Sequence, residues 1–225
     1  MRPEIGDQLT AMTALTEPLR RALYLYVVGQ RQPVGRAEAA AAEGVSRTVA
    51  AFHLDRLVEA GLLEVTHGRT SDRRGPGAGR PAILYRRADR PHELSIPPRD
   101  YALAAQLLVD AVDEAGADQV LHAAAEREGV RRGRGLAGPL AAGEDLEAVR
   151  RALDGAGYEP RREGDELRLL NCPFHDLSRA NPPLVCGMNL ALLTGLARGL
   201  QASVDVRLDP RPGACCVAIS KSKID

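Results

Sequence analysis

Four cysteines and one histidine are the side chains in this sequence best suited to chemistry beyond packing. Cys172 and Cys186 sit in the stretch NCPFHDLSRANPPLVCG, with His175 one helical turn beyond the first, and Cys215 and Cys216 follow in RPGACCVAI. Thiolates and imidazoles ligate zinc, iron and iron–sulfur clusters. A thiol can also be oxidised, or fill a core as a small hydrophobe. The spacing C-x13-C-x28-C is neither a zinc-ribbon nor a ferredoxin pattern, both of which bring ligands in close pairs. Spacing therefore names no metal.

Several readings stay open at this point. The N-terminus lacks a basic-then-apolar leader, and no apolar run reaches the ~18 residues of a membrane span. The expected compartment is cytoplasmic, where thiols stay reduced and a structural disulfide is disfavoured. A closed zinc site could use Cys172, His175, Cys186 and Cys215. A thiol sensor could join Cys186 to Cys172 as a disulfide. A Cys172–His175 nucleophile pair lacks a recognisable oxyanion hole or orienting acid, so an enzyme is not expected. GPGAGRP lacks the strand-to-helix setting of a phosphate loop.

The second group of chemically capable residues is basic. Over 225 residues, 30 basic and 30 acidic side chains balance, but residues 1–90 hold 14 Arg against 10 Asp or Glu. Residues 65–90 alone carry seven Arg and two Asp. Such a patch in a neutral chain suits a polyanion, although a solvated Arg-rich loop has the same composition.

The elements that must position these groups follow from periodicity and punctuation. Leu15, Leu19, Leu23 and Tyr26 recur at helical spacing over residues 7–29, with Pro18 dividing the run. A short Ala-rich helix over 36–43 ends at Gly44. Ser46 then caps a second helix that closes at Gly61. Ala50, Leu54, Leu57 and Val58 face inward, while Arg47, Thr48, Ala51 and Asp55 lie on another face. LLEVTHGR and AILYRRA predict two strands around a long tip, which makes a winged helix-turn-helix over residues 1–90. Ser46, Arg47, Thr48 and Ala51 are the candidate base and phosphate contacts on double-stranded DNA. Arg69, Arg73, Arg74 and Arg80 are candidate wing contacts to phosphates or a narrow minor groove. His53 reads as a packed or capping residue.

DRPHELSIPPRD, residues 89–100, reads as a linker or bend. Residues 98–225 then predict helices at 100–115, at 117–136 giving way to glycines, and at 143–157. Two strands around Gly164, a helix over 186–200 and strands over 202–209 and 215–220 complete the pattern. The expected class is α+β, with helices on one side of an antiparallel sheet. In that arrangement Cys172 lies just past a strand, Cys186 at a helix N-terminus that favours a thiolate, and Cys215 at the start of the last strand. Leu103, Leu107, Leu108 and Ala111 form a stripe suited to pairing with a second copy.

VSRTVAAFHLDRLVEAGLLEV followed by GRPAILYRR resembles the winged helix-turn-helix of ArsR- and MarR-like bacterial regulators. Together with CPFH, NPPLVCGMNLALLTGL and DPRPGACCVAI, the chain is similar to SufR-type iron–sulfur-sensing repressors. That resemblance implies a homodimeric repressor with a cluster on Cys172, Cys186 and Cys215, and His175 can supply a fourth ligand. The doubled Cys215–Cys216 and the CPFH wording depart from the pattern, and zinc is the alternative metal.

Overall fold

The computed structural model describes residues 5–68, 82–97, 99–138 and 144–222. The chain divides into two compact units, residues 1–99 and 100–225. No helix among the described residues is long and apolar enough to cross a membrane.

The first unit begins with α1 (Ile5–Ala14) and α2 (Pro18–Val28), and the break between them is built locally. Pro18 occupies the first helical turn, where a missing N–H costs nothing, and the Glu17 carboxylate accepts from the backbone N–H groups of Leu19 at 3.1 Å and Arg20 at 2.6 Å. The chain continues as β1 (Val34–Gly35), α3 (Arg36–Ala42), α4 (Arg47–Glu59), β2 (Leu63–Gly68) and β3 (Ala82–Arg87). Gly44 and Gly61 end α3 and α4 at φ +64° and +70°, a region that side chains with a Cβ avoid. Ser46 caps α4, its hydroxyl accepting from Val49 N–H at 3.3 Å. The antiparallel sheet has the order β1-β3-β2. Leu23, Val27, Val34, Leu54, Leu57, Leu63 and Tyr85 fill the core beneath it.

The second unit comprises α5 (Tyr101–Glu114), α6 (Asp118–Leu136), α7 (Asp145–Asp154), β4 (Pro160–Glu163), β5 (Glu166–Leu169), α8 (His175–Ala180), α9 (Pro182–Gly199), β6 (Val204–Leu208) and β7 (Val217–Lys221). The strands form one antiparallel sheet, β4-β5-β7-β6. Leu167, Leu169, Val217 and Ile219 lie on one face and share a core with Leu146, Leu153, Leu193 and Leu196 of α7 and α9. On the other face buried Arg168 is ion-paired to Glu166 and Asp209, and Arg207 also pairs with Glu166. The fold class is α+β, as expected.

Three expectations need correcting. The glycines near the end of α6 do not stop it. A Cβ on Gly129 would stand 2.1 Å from the Leu192 carbonyl oxygen, and one on Gly195 would stand 2.2 Å from that of Glu126. These glycines let α6 and α9 touch backbone to backbone, so they mark a packing seam rather than a cap. Second, α9 starts at Pro182, with Asn181 Oδ1 accepting from Leu184 N–H at 3.3 Å and prolines in its first turn. Cys186 therefore lies in the second turn, away from the free N–H groups of the helix N-terminus. Third, β7 begins at Val217, so Cys215 and Cys216 lie in the preceding loop. Helix α8 has too few residues for a periodic signal and was not expected.

Candidate functional site

Helix α4 presents part of its surface to solvent. Ser46, Arg47 and Thr48 are exposed at its N-terminus, while Ala51 is half-buried. Two residues the sequence reading passed over, Val49 and Phe52, are exposed instead, Phe52 at 55%. The Arg56 guanidinium lies 5.6 Å from the centre of the Phe52 ring and also bonds Glu59 at 2.8 Å. Arg69, Arg73, Arg74 and Arg80 lie outside the described residues.

Asp55 lies half-exposed on the face away from the core, and its carboxylate is held by two neighbours. Arg36 Nη2 donates to its two oxygens at 2.9 and 3.0 Å, and the Tyr85 hydroxyl donates at 2.5 Å. Arg36 Nε closes the triangle on the Tyr85 oxygen at 2.6 Å. Burial and the neighbouring Asp55 carboxylate push the Tyr85 phenol up to about 12, so it stays a hydrogen-bond donor at neutral pH. This triad ties α4 to the start of α3 and to β3. His53 is packed as expected, its Nδ1 3.4 Å from the Glu17 carboxylate.

In the second unit the sheet register brings distant thiols together. Cys215 N–H donates to the Leu169 carbonyl at 2.8 Å, which holds the loop before β7 against the end of β5, three residues from Cys172. The Cys172 and Cys215 thiols lie close enough to interact, as do those of Cys215 and Cys216, and all four cysteines are free. Asn189 of α9 donates from Nδ2 to Cys215 Sγ at 3.3 Å, and the Tyr158 hydroxyl donates to Asn189 Oδ1 at 2.7 Å. Tyr158, Asn189 and Cys215 are 3%, 1% and 3% exposed.

The electrostatics favour the protonated form of Cys172 and Cys215. The hydrogen bond to Cys215 and then burial raise the Cys172 thiol far above its ordinary value. For Cys215 the bond from Cys172 favours the thiolate, but the bond to Cys216 and burial outweigh it and push the thiol up to about 11. Cys186 is half-buried on α9, three positions before Asn189, and all four cysteines lie near one another. His175 is exposed at the first position of α8, its backbone N–H on the Cys172 carbonyl at 3.0 Å.

The donor set fits a thiophilic metal in kind: clustered cysteines, one of them deeply buried, with an amide donor already aimed at its sulfur. It is not assembled as a cage. Among the described residues no group of three or more His, Cys, Asp or Glu side chains is arranged to hold an ion. Binding would have to displace thiol protons and redirect the sulfurs from one another to the metal. Sequence reading missed Tyr158 and Asn189. The one available signal was an Asn in the apolar run of α9, GMNLALL.

Residues 15–66 match a family model described as a helix-turn-helix domain, which covers α2, α3, α4 and most of β2. No curated protein and no solved structure matches the chain. With the flanking antiparallel strands, the N-terminal unit is the winged helix-turn-helix of a DNA-binding transcriptional regulator.

Proposed function

We propose that the chain is a metal-responsive repressor in which Cys172, Cys186 and Cys215, with His175 as a fourth donor, hold an iron–sulfur cluster. The observation that carries this reading is the meeting of half-buried Cys172 with buried Cys215 and the Asn189 amide, supplied by two loops of the sheet and a helix. When bound, such a cluster supplies a link that is sensitive to oxidation and to iron supply. The chain's own residues do the rest. Cys172 anchors the end of β5, Cys215 the entry to β7, and Cys186 the second turn of α9. Joining them restrains the second unit, and operator affinity changes only by as much as DNA prefers one state.

Ser46, Arg47 and Thr48 would meet the major groove, with Ala51, Val49 and Phe52 offering apolar contact to thymine methyls. The wing arginines Arg69, Arg73, Arg74 and Arg80 would meet phosphates. A homodimer is part of this reading. Leu107 and Leu108 of α5 stand 60% and 68% exposed, and Tyr101 at the start of the helix is exposed as well. The C-terminal part of α5 holds Asp110, Asp113 and Glu114, with no base in its last turn. A second copy running antiparallel sets the positive N-terminal end of its α5 beside those acids. Two recognition helices could then match half-sites ~34 Å apart.

Protein purified without oxygen is expected to be brown and to contain iron and sulfide, both lost in Cys172→Ala. Colourless protein with one zinc per chain would replace the cluster with a closed zinc site on the same residues.

A further inference from the structure

Tyr158, Asn189 and Cys215 form a buried chain of hydrogen bonds with a direction. The Tyr158 hydroxyl occupies Asn189 Oδ1 at 2.7 Å, which turns Nδ2 toward Cys215 Sγ at 3.3 Å. Asn189 is 1% exposed and lies one turn from Leu193 on the side of α9 that faces the sheet core. An amide placed there loses its water and is tolerated only when both ends are satisfied. A neutral thiol is a weak acceptor and returns little for that loss, whereas a thiolate accepts a charge-assisted bond of about twice the strength. The amide is therefore oriented for a sulfur that carries negative charge.

We propose that Asn189 is a positioning residue for metal-bound Cys215: its amide donates an N–H···S bond to the thiolate, and Tyr158 holds the amide in that orientation. This rests on the thiols being metal ligands, and it applies equally to a cluster or to zinc, since both take cysteine as thiolate. Hydrogen bonds to ligating sulfur favour the more negative, reduced form of a cluster and so raise its potential. They also strengthen metal binding, and losing such a partner weakens affinity by about 10–100-fold.

The full-length chain, Asn189→Leu and Tyr158→Phe would each be titrated with zinc against a chelator, and reconstituted without oxygen with ferrous iron and sulfide. Asn189→Leu is expected to bind at least about tenfold more weakly and to give a more negative midpoint potential. Tyr158→Phe keeps the amide but frees it to turn, and should shift both quantities the same way by less. Thermal unfolding of apo and metal-loaded protein separates this role from plain packing. A packing role lowers both melting points and leaves their difference unchanged, and that result would overturn the proposal. If Asn189→Leu does not fold, wild-type affinity and potential in Tyr158→Phe would overturn it equally. Wild-type protein that takes up neither zinc nor a cluster removes the metal reading itself, a failure seen before any variant is measured.

Discussion

Each unit of the molecule contains a hydrogen-bonded polar triad, half-buried in the first and buried in the second, and the two are built differently. Arg36, Asp55 and Tyr85 in the first unit form a closed triangle in which one guanidinium, one carboxylate and one hydroxyl satisfy one another. Tyr158, Asn189 and Cys215 in the second unit form an open line that ends on a sulfur. The closed triangle needs nothing further and serves to fix α4 against its neighbours. The open line ends on a weak acceptor and is completed only when that sulfur becomes anionic. A polar cluster whose members satisfy one another points to architecture. One whose last partner is inadequate points to a ligand.

That contrast can be broken or sharpened by substitution. The largest effect should come from Gly195→Ala, whose Cβ would stand 2.2 Å from the Glu126 carbonyl oxygen and force α6 from α9. A loss on the order of 3 kcal/mol or more is expected, read as an early transition in chemical denaturation. It should abolish metal uptake as well, because α9 carries both Cys186 and Asn189. Next, Asp55→Ala leaves Arg36 and Tyr85 without their shared acceptor and should cost about 1–3 kcal/mol. Zinc affinity should be untouched and DNA affinity reduced; a variant that lost metal instead would break the division of labour between the triads.

Arg47→Ala should leave folding within about 0.5 kcal/mol of wild type. Operator binding should weaken by about 1–3 kcal/mol in a fluorescence titration. Equal weakening on unrelated DNA would make Arg47 a phosphate contact rather than a base reader. The smallest change concerns the cap of α2. Burial works to raise the Glu17 carboxyl, but the N–H groups of Arg20 and Leu19 outweigh it and hold the group below its ordinary value. Its folded pKa lies under the unfolded one, so its stabilisation is present above the ordinary carboxylate range and fades as pH falls through the folded value. Glu17→Gln should flatten that part of the acid limb of a stability–pH curve.

The first unit was readable because its determinants are local. Pro18 after Glu17, Gly44, Ser46 and Gly61 each act on a neighbouring backbone turn, and those signals place α2, α3 and α4 within a residue or two. The engagement of Asp55 was not legible because its partners, Arg36 and Tyr85, stand 19 and 30 residues away. In the second unit, the glycines of α6 looked like a helix end because their reason for being there is α9, more than fifty residues later. Cys186 looked like a first-turn residue because the apolar run suggests a start at 186, whereas Pro182 and the Asn181 cap set it earlier.

By itself the sequence determined the α+β class, the helix-turn-helix with its caps and turns, and the residue types able to bind DNA or a metal. Backbone propensity, capping and hydrophobic period act over a few residues, so they can be read in one dimension. The tertiary structure alone decided which cysteines meet, that Asn189 and Tyr158 stand behind them, and that Asp55 is tied to Arg36 and Tyr85. Those facts depend on antiparallel register and on a glycine seam between two helices, and both bring together side chains whose separation along the chain carries no trace of the encounter.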